Sequence, residues 1–330
     1  MSQISLYPLR FAPIYQYRLW GGRRLANLLS APLPGDGPIG EAWILSDRED
    51  HQSRVSNGPL KGRTIGQVLE QFPEQSLGKL AQRFRRFPLL LKFLDAREML
   101  SVQVHPTAAN ADLLPVGETA KTEAWVVLEA EPKSRIYAGL KPGTTADDLR
   151  RALANGTVAD HLACFTPKPG DGVFIPAGTV HALGGGVVVF EVQQNSDVTF
   201  RLYDWDHVDP KTGKPRELKV DQALACIDFA DGLGGLVSPV VEATTPAERE
   251  RLFQCEYFWL WRWRGQSPFT VGVAGVPRVL VCVEGAGQVE HGGATYAVGK
   301  GEVWLLPAVA GVCAFRPRGA VTLLEIAIPG

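Results

Sequence analysis

Side chains of the kinds that hold a divalent metal fall in three short segments of this 330-residue chain. In SVQVHP (101–106), alternation along a strand puts Ser101, Gln103 and His105 on one face, with Val102 and Val104 on the other. In KTEAW (121–125) the same alternation aligns Lys121, Glu123 and Trp125. His181 ends PAGTVH, just past a Pro/Gly turn. Each segment alone has a plain structural explanation: a solvated strand face, a surface ion pair of small value, an exposed histidine. Jointly, two imidazoles, a carboxylate and an amide oxygen on strands of one small barrel form a set for a borderline divalent ion. Zinc takes His nitrogen and carboxylate oxygen at about 2.0–2.2 Å, and a catalytic zinc keeps one position open. The same mixed set also accommodates iron or manganese. Lys92, inside LLLKFLDA (89–96), is a further marked residue. Burying an ammonium in so apolar a run is costly unless something compensates it or the side chain snorkels outward.

The segments around these residues read as short strands. VVLEA, RIYAGL, GVFIP, GVVVFEVQQ, VTFRLYDW, VLVCVEG and EVWLLP are apolar runs bounded by turn residues, in a chain with 35 Gly and 24 Pro. Many short strands of this kind point to an all-β sandwich or barrel. Three stretches predict helices: 64–86; 145–155, with Thr145 and Asp148 as an N-terminal cap and Gly156 as the stop; and 215–229, opening on Pro215. Residues 170–181 (GDGVFIPAGTVH) and 301–312 (GEVWLLPAVAGV) are alike in an apolar strand leading to a sharp Pro turn. Val309 and Val312 stand in the second copy where Gly178 and His181 stand in the first. The likeness is either a coincidence of two β-turns or the mark of two related barrels, with a boundary near 231–245 and the histidine kept in one of them.

Thirty-four basic and 35 acidic residues leave a charge of −1, which gives no footprint for nucleic acid or an anionic membrane. The start of the chain has no basic region followed by an apolar run, and no apolar stretch approaches a membrane span. Five scattered cysteines without a CxxC pair fit a reducing cytoplasm.

GDGVFIPAGTVH resembles the second cupin motif, and Gln103-x-His105 followed by Glu123 resembles a modified first one. LLLKFLDAREMLSVQVHP (89–106), KTEAWVVLEAEPKSRIYAGLKPG (121–143) and the run from 170 to 206 are similar to type I mannose-6-phosphate isomerases, closest to the short bacterial form. YQYRLWGGRRL (15–25), GEAWILSDRED (40–50) and GEVWLLPA (301–308) extend the likeness from about residue 11 to 308. The resemblance implies a mainly β fold of two cupin-like jelly-roll barrels, with helical insertions in the first. Residues 1–235 would form the catalytic metal-binding domain, and 236–330 a second barrel without a metal site, where His291 stands alone beside Gly292 and Gly293. It implies one Zn2+ per chain on Gln103, His105, Glu123 and His181, and an active-site Arg201. Lys92 and Lys121 would line the site. Burial beside the metal would lower a lysine pKa and make either one a candidate base. Ser101, Lys121, Arg201 and His207 are the expected substrate contacts, for a phosphorylated hexose interconverted between aldose and ketose through an enediol. His207 departs from the family, which usually carries a more basic residue there; this leaves an isomerase of free mannose as one alternative and a non-catalytic sugar-binding cupin as another. A cupin oxygenase would use a 2-His-1-carboxylate iron site, against which Gln103 argues.

Overall fold

The computed structural model describes residues 5–29, 32–230 and 234–330. The first four residues of the start, and residues 231–233 of the expected boundary, lie outside that set.

The chain folds into two β-sandwiches. In the first, a seven-stranded sheet runs in the order Gly235–Val237, Gly172–Ile175, Glu123–Ala130, Val187–Gln194, Leu89–Ala96, Ile14–Gly22 and Ile39–Leu45. It faces a five-stranded sheet ordered Leu162–Phe165, Ile136–Leu140, His181–Leu183, Val102–Val104 and Phe200–Tyr203. The second sandwich pairs seven strands, from Leu9–Arg10 to Val240–Ala243, with the four strands Phe269–Val271, Cys313–Pro317, Ala286–His291 and Ala294–Gly299. Every pairing between these strands is antiparallel, so each carries side chains alternately inward and outward. The architecture is the mainly β, cupin-like one expected, with the helices inserted in the first barrel. The strands after the two Gly-rich motifs occupy matching places: Gly172–Ile175 pairs with Glu123–Ala130, and Val303–Leu306 pairs with Arg278–Glu284.

Alternation explains where the cores sit. Leu91, Phe93, Ala124, Val126, Phe190 and Val192 point out of the first barrel and share one core with Val279, Val281, Leu305, Leu324 and Ile326 of the second. The two seven-stranded sheets therefore pack back to back. At about 1.5–3 kcal/mol for each large apolar side chain removed from water, this shared layer holds the barrels together. Val102, Val104, Val180, Ala182, Phe200 and Leu202 point out of the five-stranded sheet and are covered by two helices, Ala146–Asn155 and Val220–Cys226. Trp125, Val127, Val189 and Leu94 point inward and floor the first barrel.

The helix Ala146–Asn155 has the expected capping box at Thr145 and ends on Gly156 in the left-handed region. The other two helical stretches are shorter than their periodicity predicts. Residues 64–86 form a helix Ile65–Gln71, then Pro73–Leu77, then a 3-10 turn Gly78–Gln82. Pro73 has no amide hydrogen to continue the first helix. Gly78 passes the second barrel so closely that a Cβ there would lie 2.0 Å from the carbonyl oxygen of Gly275. The expected helix 215–229 begins only at Val220. Pro215 does not open it but pairs, within the strand Lys214–Pro215, against Val208–Asp209.

Candidate metal centre

The four residues singled out as metal ligands converge inside the first barrel. His181 lies directly across from Gln103 on one side, and Arg201 lies across from Gln103 on the other. Residues opposite one another share a face, so all three side chains project from the five-stranded sheet toward the facing sheet. Glu123 comes from that facing sheet, where its register partners are Gln193 and Ile175. His105, Glu123 and His181 are all buried, and their candidate ligand atoms lie within 4.8 Å of one another.

The second ring nitrogens decide what this cluster is. His105 Nδ1 is 2.8 Å from the carbonyl oxygen of Val198, and His181 Nδ1 is 2.9 Å from that of Thr179. A carbonyl only accepts, so both Nδ1 atoms carry the hydrogen and both Nε2 atoms present a lone pair. Those lone pairs face Glu123, at 3.2 Å from Oε2 and 3.3 Å from Oε1. Burial, and after it the charge of Lys121, pushes the His105 imidazole down to about 3, and burial lowers His181 as well. The rings are therefore neutral at physiological pH and make no ion pair with the carboxylate. Burial pushes the Glu123 carboxyl upward, but the Lys121 ammonium holds it well below the usual range. His105 Nε2 and both Glu123 oxygens make no hydrogen bond among the described residues, and of the three only Glu123 Oε2 has a cation close by, the Lys121 ammonium at 2.7 Å. Three buried acceptors facing one another repel unless a cation stands between them. The donor set thus fits a bound divalent metal.

Lys121 Nζ is 2.7 Å from Glu123 Oε2, beside the cluster. Gln103 turns its amide nitrogen, not its oxygen, toward the cluster: Nε2 is 3.2 Å from His181 Nε2, and Ser101 Oγ donates to Oε1 at 3.3 Å. Ligation through oxygen requires the amide to turn over about its last torsion, an exchange of nearly isosteric ends. Ser101 is buried behind Gln103. Arg201 donates through Nη1 to the Glu217 carbonyl at 2.8 Å and keeps a buried Nε without a hydrogen-bond partner among the described residues. Burial, then the neighbouring Arg216 guanidinium, lowers its pKa. His207 sits 3.7 Å from Asp204 and 3.9 Å from Glu98.

For Lys92 the expected direction is reversed. It is indeed buried, but Glu191, Asp197 and Glu41 lie 3.4, 3.6 and 3.9 Å from its ammonium, and the Trp43 ring is 5.0 Å away. Burial alone would lower its pKa, but the carboxylates outweigh burial and raise it above the ordinary value. Lys92 is a fixed positive charge, not a base poised near neutrality. The group whose pKa moves toward neutrality is Glu191, raised first by burial and then by the charge of Glu123. Its Oε2 accepts from the Trp125 indole at 2.9 Å. Sequence reading missed Glu191, although a carboxylate inside GVVVFEVQQ carries the same signal that marked Lys92. Glu41, Asp197 and Arg18 had no comparable signal.

A cavity of about 960 Å³ opens beside these charges. Arg18, Trp43, Arg48, Glu118, Asp197 and Tyr257 are among the residues that line it; His105, Glu123 and His181 are not in its wall.

Fold and site together define a protein of the cupin-barrel class with a candidate metal site. Residues 9–134 match the phosphomannose isomerase type I catalytic domain. The chain is 34% identical over 315 residues to the mannose-6-phosphate isomerase ManA of Bacillus subtilis, covering 91% of this chain and 93% of that protein. It is also 34% identical to a mannose-6-phosphate isomerase of Streptococcus mutans, over 88% of this chain and 89% of the relative. A crystal structure of mannose 6-phosphate isomerase from Bacillus subtilis superposes with a TM-score of 0.89 at 30% identity, covering 97% of this chain and 99% of the other. The chain belongs to the type I phosphomannose isomerase family.

Proposed function

We propose that this chain interconverts mannose 6-phosphate and fructose 6-phosphate, using one zinc ion held by His105, Glu123, His181 and a turned-over Gln103. The observation that carries this reading is the trio of buried, mutually facing acceptors beside Lys121, in a chain of this family. Neutral imidazoles, a carboxylate and an amide oxygen suit zinc. When bound, the ion supplies Lewis-acid polarisation of the sugar oxygens.

The chain's own residues account for the rest. A proton must leave C2 of the aldose and return to C1, with an enediol between the two steps. A carboxylate with a raised pKa is matched to taking and returning such a proton, and Glu191 has that property. Lys92 keeps its charge and holds Glu191, Glu41 and Asp197 in place. Lys121 and Arg201 offer preorganised positive charge to a developing oxyanion or to the phosphate. Ser101 orients Gln103, and His207 lies near the Arg216–Asp204 pair at the same end as Arg201. We assign this chemistry to residues 1–235, with residues 236–330 carrying no metal. The protein works in the cytoplasm, where its five free cysteines stay reduced.

A coupled assay with mannose 6-phosphate tests the reading directly: turnover is expected to disappear on chelation and to return with zinc. Arg201→Ala separates phosphosugar from free sugar. A guanidinium offers a rigid fork suited to phosphate, so the variant should lose about 10- to 100-fold in kcat/KM for mannose 6-phosphate, mostly in KM. The loss for mannose should be much smaller. Equal efficiency on both sugars, indifferent to Arg201→Ala, would favour a free-mannose isomerase instead.

A further inference from the structure

The ligands His105 and Glu123 are joined by a segment, 106–122, that runs out to the fully exposed Val116 and back to Lys121. Its return half is fastened near Glu123 by Thr122, whose amide donates to Gln194 Oε1 at 2.9 Å and whose carbonyl and Oγ1 each accept at 3.1 Å from the Gln194 and Ala177 amides; farther out it is fastened by a charged pair. Arg48 forks onto Glu118, with Nη1 3.2 Å from Oε2 and Nη2 in close contact with Oε1. Both side chains are about four-fifths buried, at 21% and 17% exposure. Water therefore screens this pair less than an ordinary surface pair.

The same two residues grip a second segment, Asn195 to Val198. Arg48 Nη1 donates to the Asn195 carbonyl at 3.3 Å, and the Asp197 amide donates to Glu118 Oε2 at 3.4 Å. Next to them, Ser196 Oγ donates to the Thr119 carbonyl at 2.8 Å. This second segment touches both halves of the site. The Val198 carbonyl fixes the His105 ring with Nε2 toward the cluster, and the Asp197 carboxylate is one of the three facing Lys92. Arg48 and Glu118 reach neither the ligand atoms nor Lys92 in any contact described above.

We propose that the Arg48–Glu118 pair is a positioning latch: by tying 114–121 to 195–198 it holds the His105 ring and the Lys121–Glu123 end in the geometry that retains the metal. This rests on the reading of His105, Glu123 and His181 as a metal centre. Hydrogen-bond partners of a metal ligand typically cost about 10- to 100-fold in affinity when lost; the Val198 carbonyl is such a partner, and the latch acts one step beyond it, so the lower end of that range is expected.

The test is the rate at which zinc-loaded protein gives up its ion to a chromophoric chelator in excess. Arg48→Met and Glu118→Gln are each expected to release zinc about tenfold faster than the unaltered chain. The double variant should release it no faster than the more affected single, because the two side chains act as one unit. The urea midpoint of the chelated protein, measured in parallel, should fall in each single variant, which leaves one largely buried charge without its partner, and recover in the double variant, where zinc release stays fast. Unchanged release in both variants overturns the proposal. So do effects that add in the double variant, and so does release in the double variant that returns to the unaltered rate along with its stability. An unaltered chain that takes up no zinc at all removes the metal centre itself, and the latch with it. A chain that holds zinc while its variants hold it as firmly removes the latch alone.

Discussion

His181→Ala is expected to lose most of its metal and to lower isomerase turnover by on the order of a thousandfold or more. Polarisation by a bound ion is worth several kcal/mol of barrier, and each 1.36 kcal/mol is tenfold in rate. His181 has no solvent exposure, and its Nδ1–H is spent on Thr179, so Nε2 is left for the ion. Removing the ring leaves Glu123 Oε1 buried with one fewer neighbour, and neither Thr179 nor Gln103 replaces it with a comparable donor to a metal. Stability separates this from simple misfolding. A ligand that binds only the folded state adds RT ln(1 + [L]/Kd) to its stability, so the unaltered chain should gain markedly in denaturation midpoint on zinc addition. The variant should gain little. Without zinc the two should lie close together, because the ring's packing is lost but so is a repulsion between neutral lone pairs and a carboxylate. Metal analysis provides the decisive count: full occupancy in both His105→Ala and His181→Ala would sink the ligand assignment.

The parts of the site that were legible in the sequence are those governed by alternation along one strand. Gln103 and His105 had to share a face because neighbours on a face lie two positions apart, and Val102 and Val104 had to take the other; the structure buries that second pair under two helices. The Pro/Gly turn before His181 likewise announced a strand start. What alternation does not reveal is which strands become neighbours. Lys92 was marked as a buried charge, but its partners arrive from Glu41, Glu191 and Asp197, brought together by sheet pairing and by a loop. The sign of its pKa shift depends on the sum of those charges against burial, and no local pattern contains that sum. The helix expected from 215 failed for a related reason. Pro215 fits the first turn of a helix and fits a sheet edge equally well, and the pairing with Val208–Asp209, together with Arg216 forking onto Asp204, settles it for the edge. The shared core between the seven-stranded sheets was also out of reach, because outward-facing apolar residues look the same whether a helix or a second sheet covers them.

Lys92→Met should destabilise the chelated, metal-free protein by about 3–5 kcal/mol near neutral pH, the usual consequence of removing one side of a buried charge group. Methionine fills nearly the same volume, so the loss measures charge and not a cavity. What remains is Glu191, Glu41 and Asp197 around an apolar side chain; Arg18 still pairs with Glu41 at 2.9 Å, while Glu191 keeps only the weaker influence of the Lys121 charge. The pH dependence identifies the culprit. Glu191 already has its carboxyl raised from 4.5 in the folded chain, by burial first and by Glu123 next, and removing Lys92 must raise it further. A group whose folded pKa lies above its unfolded one adds stability that is fully present below the unfolded value and is lost as pH rises through the folded value. The variant should therefore be more stable at pH 5 than at pH 8, with a midpoint that falls as Glu191 is forced to ionise. In the unaltered chain Lys92 also has a raised pKa. Its contribution is complete below about 10.5 and constant across that interval, so the unaltered profile should be flatter. Adding Glu191→Gln to Lys92→Met should remove the slope and recover part of the stability, since a neutral amide no longer needs the ammonium. A Lys92→Met protein with unaltered stability and a flat profile between pH 5 and 8 would show that Lys92 does not neutralise Glu191, and that the protonation behaviour assigned to Glu191 is set elsewhere.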